Sequence, residues 1–360
     1  MPERQPPFGS ETELVRALGL GSFQQRWPWI GPDLQTLRDT LRPPILPPDQ
    51  GQPLTLAVGD QASLLAMVDP PLPVAPGQPG EPWGLVVLLH GLGGSSEREG
   101  LRRMGLSLQA AGLVVWRLNL RGAGPGRPLA AGTYAARCDR DLLPVLRRAR
   151  EQAGGRPLLG VGISLGGTML LNAALAAPGV LDALVCTSSP LDLTDCSRQI
   201  ERPRNRVYQR WLLRRLCAQT LADPFGVSTA ERRALEGLDR PRTIRAFDAA
   251  ITAPRWGYSS VEHYYKEASP LPRLLGTSRV GERDHPALPP TLLLHALDDP
   301  WVPVSGAQAV AARSLPGVEV VLTAWGGHSG FHGVGDASLS CWGDQLTVRW
   351  LKRLLMSGLG

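Results

Sequence analysis

The chain has 360 residues, 43% of them hydrophobic and 19% charged, which suffices for one large domain or two smaller ones at roughly 100–200 residues each and excludes a disordered chain. The core is large enough to fold without disulfides or metal. A net charge of +6 rests almost wholly on arginine, Lys266 and Lys352 being the only lysines; with no nucleic-acid motif beside it, a solvated arginine surface is preferred to a nucleic-acid partner.

Residues 1–50 are proline-rich and irregular, with one short helical pattern at 11–18, and read as an arm over a core. Residues 53–58 and 63–69 read as two strands around Gly59-Asp60, a hairpin. A Pro/Gly-rich loop follows at 70–82. Strands and helices then alternate. The continuous apolar run 84–89 suits a strand buried on both faces. A helix is expected at 96–111, a strand at 113–118, a helix at 139–152, a strand at 157–162, a helix at 165–176 and a strand at 184–187. That rhythm predicts an α/β fold with a mostly parallel sheet and helices on both faces. It breaks over 191–288, where arginine, tryptophan and tyrosine accompany helical patterns. It returns with strands at 291–296 and 318–323 and helices at 305–314 and 344–355. The simplest organisation is an N-terminal arm (1–50), an α/β core (51–190 and 289–360) and a helical cap insertion (191–288).

The five cysteines are odd in number and include no C-x-x-C pair, as expected of free thiols in a reducing compartment. The N-terminus lacks an apolar signal core. The run at 85–92 falls well short of the ~20 residues of a membrane span. A cytoplasmic protein is the expectation.

Chemistry enters at Gly162-Ile163-Ser164-Leu165-Gly166, a G-x-S-x-G between an expected strand and an expected helix. Such a nucleophile elbow holds the serine on a strained turn where larger neighbours would collide. A dinucleotide-loop reading fails, because the sixth position after Gly160 is Leu165 rather than glycine. Serine needs a base, and in this chain order the acid comes between the two. Of the six histidines, His90 opens the turn after a strand, His263 lies in the insertion, His285 in a polar loop and His295 in a strand. His328 follows the last strand inside a glycine-framed loop and is preferred as base, with His332 as runner-up. The preceding strand ends at Asp298-Asp299, and one aspartate there would hold the imidazole tautomer. Asp299 is favoured through Asp-x-x-Val-Pro, with Asp298 as the alternative. Oxyanion donors are expected from the backbone N–H groups of Leu165, after the serine, and Leu92, in His90-Gly91-Leu92-Gly93-Gly94. No zinc-type spacing occurs, and neither metal nor cofactor is expected.

These residues resemble a known family. HGLGGSSE at 90–97, NLRGAG at 119–124, GISLGG at 162–167, HALDDP at 295–300 and GGHSGF at 326–331 are similar to the YheT-like α/β-hydrolases. So are PWIGPDLQTL at 28–37 and FDAAITAPRWGYSSVEHYYKEASP at 247–270. Departures are His263, where the family usually has an acidic residue or threonine, and Asp33, where it often has histidine. The resemblance implies an α/β-hydrolase fold, a triad of Ser164, the aspartate pair and His328, and acyl-ester or lipid substrates. The expected activity is carboxylester hydrolysis; acyl transfer to an alcohol on the same triad and a non-catalytic binding protein are the alternatives. Arginines at 198–215, interleaved with Tyr208 and Trp211, read as a solvated face in preference to a peripheral membrane contact.

Overall fold

The apolar runs between Gly84 and Thr323 become the strands of one sheet. In the computed structural model, which describes residues 10–59, 61–73, 82–237, 240–276, 288–337 and 339–358, eight strands run in the order β1-β2-β4-β3-β5-β6-β7-β8. They are β1 (Gln52–Gly59), β2 (Ala62–Asp69), β3 (Gly84–Leu89), β4 (Leu113–Asn119), β5 (Leu158–Ile163), β6 (Ala183–Thr187), β7 (Thr291–Ala296) and β8 (Val318–Thr323). β1 and β2 pair antiparallel, and β2 lies antiparallel on β4. Every other pairing is parallel. Asp60 of the expected hairpin turn, residues 74–81 of the Pro/Gly-rich loop and His285 lie outside the described residues.

Side chains of β3 alternate between two cores, as the pleat demands. Leu85, Val87 and Leu89 pack with α4 (Asp139–Ala153) and α5 (Leu165–Ala176), while Val86 and Leu88 pack with α3 (Glu99–Ala110) and α14 (Trp342–Met356). α1 (Ser10–Ala17) and α2 (Pro32–Leu41) precede these in the arm, and α13 (Ser305–Arg313) joins β7 to β8. Between β6 and β7 the chain leaves the sheet for α6 (Leu193–Ile200), α7 (Arg206–Leu221), α8 (Thr229–Glu236), α9 (Ile244–Phe247), a π-helical turn (Asp248–Thr252), α10 (Ala253–Arg255), α11 (Val261–Ala268) and α12 (Leu271–Leu274). Among the described residues no helix is long and apolar enough to cross a membrane.

The helix α2 departs from the expectation of an arm with a single helix. Its most buried residue is Gln35, not a leucine. The Gln35 amide donates to the carbonyls of Trp29 and His332, and its oxygen accepts from the His332 N–H. A helix anchored through polar contacts carries no apolar stripe for periodicity to detect.

Helices α2, α3 and α14 meet at one buried cation. Arg103 on α3 donates from Nε to Asp344 Oδ2 of α14 at 2.6 Å, and from Nη1 to Asp39 of α2. Removing one partner of such a network strands the remaining charge in low dielectric. Arg103→Ala is therefore expected to lose about 3–5 kcal/mol of stability in urea unfolding followed by circular dichroism. A loss within the range of a surface substitution would contradict a structural role for this network.

Candidate active site

The strand order reverses at β3, which sits between β4 and β5. Ligands of open parallel sheets bind outside the carboxyl ends of the strands at such a switch point. Leu89 pairs with Gly162 across β3 and β5, so the two loops that follow emerge side by side. A Cβ on Gly91 would sit 3.0 Å from the Ser164 Cβ.

Ser164 has φ 54° and ψ −125°, a left-handed conformation that projects its hydroxyl from the elbow. Its N–H donates to the Thr187 carbonyl at 2.8 Å, anchoring the turn to β6. Gly166 permits the close approach: a Cβ there would lie 2.6 Å from the Leu89 carbonyl oxygen.

Ser164 Oγ lies 2.9 Å from His328 Nε2, and His328 Nδ1 lies 2.9 Å from Asp299 Oδ2. With Asp299 accepting from Nδ1–H, Nε2 is left to accept the serine proton. Asp299 Oδ1 accepts from the N–H groups of Trp301 and Val302 at 2.8 and 3.0 Å, which fixes the carboxylate. Asp298 faces elsewhere. Its Oδ1 accepts from the Gly327 N–H at 2.8 Å, and burial together with the neighbouring Asp299 charge pushes its carboxyl up to about 6.

Two contacts and one close approach, none of them read from the sequence, position His328. Its backbone N–H donates to Thr36 Oγ1 of α2 at 2.8 Å. The Trp301 ring stacks on it at 4.7 Å between centroids. Gly327, at φ 57°, leaves room for the arm, since a Cβ there would lie 2.7 Å from Thr36 Oγ1. The PWIGPDLQTL segment was the available signal for Thr36, but it reads only as a resemblance until the arm is seen against the histidine loop.

On the other side of Ser164, His90 donates from Nδ1 to the Gly91 carbonyl at 2.8 Å and accepts at Nε2 from the Leu120 N–H. Burial pushes its pKa down to about 4, so it stays neutral and holds the loop. Tyr134 Oη takes the Gly93 N–H at 2.6 Å. Leu92 in the loop and Leu165 in the first turn of α5, whose N–H groups are the expected oxyanion donors, both line this space, and a helix N-terminus favours negative charge. His332 instead pairs with Asp39 and Asp336 at 3.2 and 3.4 Å, and His295 is buried beside the Val302 carbonyl. His263 is exposed on α11 next to Ser259. Among the described residues no three His, Cys, Asp or Glu side chains converge as metal ligands would.

Ser164 and His328 open into a cavity of about 580 Å³. The helices between β6 and β7 give it an apolar wall that includes Leu193, Leu212, Leu216, Ile244 and Phe247. Asp248 also lines it. This buried carboxyl accepts from Thr252 Oγ1 at 2.7 Å and Tyr265 Oη at 2.8 Å. Burial, outweighing those two bonds, pushes it up to about 6. The site therefore pairs an oriented serine–imidazole–carboxylate chain with an apolar cavity, an arrangement able to attack an acyl carbonyl.

A family model described as "alpha/beta hydrolase fold" matches residues 84–333. The chain is 32% identical over 275 residues to the putative esterase YheT of Escherichia coli, covering 75% of this chain and 77% of that one. It is 31% identical over 248 residues to the mouse phospholipase ABHD3, covering 68% of this chain and only 58% of that longer protein. Among solved structures, a soluble variant of the monoglyceride lipase from Saccharomyces cerevisiae superimposes with a TM-score of 0.53 at 17% identity, covering 87% of this chain and 99% of that one.

Asp248 generates a pH-dependent expectation. A carboxyl whose pKa is higher folded than unfolded contributes stability at low pH and loses it as pH rises, here between about pH 4 and pH 6. Asp248→Asn keeps an acceptor for Thr252 but carries no charge. The melting temperature of the variant, relative to the unsubstituted protein, is expected to be higher above that window than below it. An equal difference at both ends of the window would contradict the raised carboxyl.

Proposed function

The chain belongs to the α/β-hydrolase family, on its YheT-like branch, and from that membership we propose that it is a serine hydrolase cleaving carboxylic esters of short- to medium-chain acyl groups or lipids through an acyl-enzyme on Ser164. The observation that carries this reading is the unbroken chain Ser164 Oγ, His328 Nε2, His328 Nδ1, Asp299 Oδ2, with 2.9 Å at each side-chain contact.

Ser164 Oγ bonds to the ester carbonyl carbon as its proton passes to His328 Nε2. Asp299 stabilises the imidazolium without taking the proton. The Leu92 and Leu165 N–H groups receive the negative charge that develops on the carbonyl oxygen. The carbon–oxygen bond to the alcohol then breaks, and His328 returns the proton to the departing oxygen. Water repeats the sequence against the acyl-enzyme, releasing the acid and restoring Ser164. The apolar wall around Leu212, Leu216 and Phe247 accommodates the acyl chain, at about 0.8 kcal/mol for each methylene removed from water. Outside the cavity, Arg206, Arg210 and Arg214 are exposed beside Val207 on α7, a composition suited to peripheral contact with an anionic lipid surface.

The paired aspartates give the test. Asp299→Asn permits the wrong imidazole tautomer, a change that costs about 10⁴ in turnover in a serine protease, and is expected to lose several orders of magnitude in kcat on a hydrolysed ester while remaining folded. Asp298→Asn retains an oxygen for the Gly327 N–H and is expected to lose about tenfold or less, on the scale of one hydrogen bond. The reverse order would move the acid by one residue, and normal activity in both variants would contradict the proposed triad.

A further inference from the structure

Several charged groups lining the cavity are matched by close partners. Asp39 and Asp344 are ion-paired with Arg103, and Asp248 accepts hydrogen bonds from Thr252 and Tyr265. Two arginines are not. Arg215 turns inward from α7, donates from Nη2 to the Gly93 carbonyl at 2.9 Å and lies over the Trp211 ring at 5.0 Å. Arg98, immediately before α3, lines the same cavity. Neither guanidinium has a carboxylate within ion-pair distance among the described residues, and Glu99, which also lines the cavity, pairs with neither. The Arg98 charge nonetheless reaches Arg215: burial and then that charge hold the Arg215 guanidinium below its usual value. Arg98 also acts on His90, and Arg215 touches the residue after Leu92, so both stand beside the loop next to Ser164.

Two like charges in a half-buried cavity, neither paired with a carboxylate, repel one another and lose hydration unless an anion joins them. Guanidinium groups offer forked N–H donors that match the oxygens of phosphate and carboxylate. We propose that Arg98 and Arg215 form an anion subsite of the cavity, and that the ester cleaved at Ser164 carries a phosphate or carboxylate group. This rests on the ester-hydrolase reading and narrows its substrate class. The carbonyl of Gly93 occupies one Arg215 donor, leaving the remaining donors and all those of Arg98 for the ligand.

The test uses the full chain and two matched ester pairs. One pair is 1-butyrylglycerol and its 3-phosphate, which differ in charge on the alcohol; the other is methyl butyrate and monomethyl glutarate, which differ in charge on the acyl group. In at least one pair the unsubstituted protein is expected to prefer the anionic member in kcat/KM by about tenfold or more, the scale of one or two hydrogen bonds to a charged group. Arg98→Gln is expected to reduce that preference about tenfold, chiefly through KM, and Arg215→Lys to retain more of it than Arg215→Gln. Inorganic phosphate is expected to compete with the preferred anionic ester. Preference only for the phosphate pair assigns the ligand as an alcohol-side phosphate, and preference only for the glutarate pair as an acyl-side carboxylate. Turnover of both neutral members with no preference in either pair, or a preference indifferent to Arg98→Gln, would overturn the subsite while leaving ester hydrolysis standing. Failure to hydrolyse any of the four would overturn the hydrolase reading and the subsite with it.

Discussion

The parallel register of β3 on β5 is the constraint from which the site follows. Because Leu89 lies beside Gly162, the loop carrying Leu92 and the elbow carrying Ser164 leave the sheet at the same level. Their separation is set by backbone hydrogen bonds in a sheet buried on both faces, not by mobile side chains. The same holds at the other edge. Ala296 pairs with Thr323 across β7 and β8, so Asp299 and His328 depart together and meet over Ser164. Preorganisation here is a property of strand register, and it reduces the reorganisation needed when charge develops.

The arm and the insertion complete what the sheet begins. α2 reaches the histidine loop with Thr36 and Gln35 and is tied to the insertion through Asp33, which pairs with Arg204 and accepts from Tyr208 Oη. Tyr208 in turn packs on Trp301, which stacks on His328. One contact path therefore runs from the N-terminal arm through the insertion to the imidazole. In the insertion, apolar residues face the cavity while most arginines face outward, giving α7 a cavity wall on one side and a basic surface on the other.

What could be read in the sequence divides along physical lines. The buried strands were legible because continuous apolar runs bounded by turn residues admit few other interpretations; 291–296 and 318–323 coincide with β7 and β8. Ser164, Asp299 and His328, singled out by motif and chain order, are brought into one hydrogen-bonded chain. Asp298 and Asp299 were separable only weakly, since adjacent residues differ in direction rather than chemistry. α2 escaped detection because its anchoring residue is polar. Arg215 was readable but overlooked among its neighbours. Arg206, Arg210 and Arg214 recur every four residues along the exposed face of α7, whereas Arg215 falls in step with Leu212, Leu216 and Gln219, which line the cavity. Helical phase thus distinguished the inward arginine from a cluster that composition treated as uniform.

On the proposed function, the elbow, the imidazole and the two loop N–H groups together activate one hydroxyl among all the serines of the chain. Intact-mass analysis after treatment with a fluorophosphonate measures this most directly. A single adduct is expected, located at Ser164 by peptide mapping and abolished by Ser164→Ala. An unlabelled protein, or labelling that persists undiminished in Ser164→Ala, would contradict it.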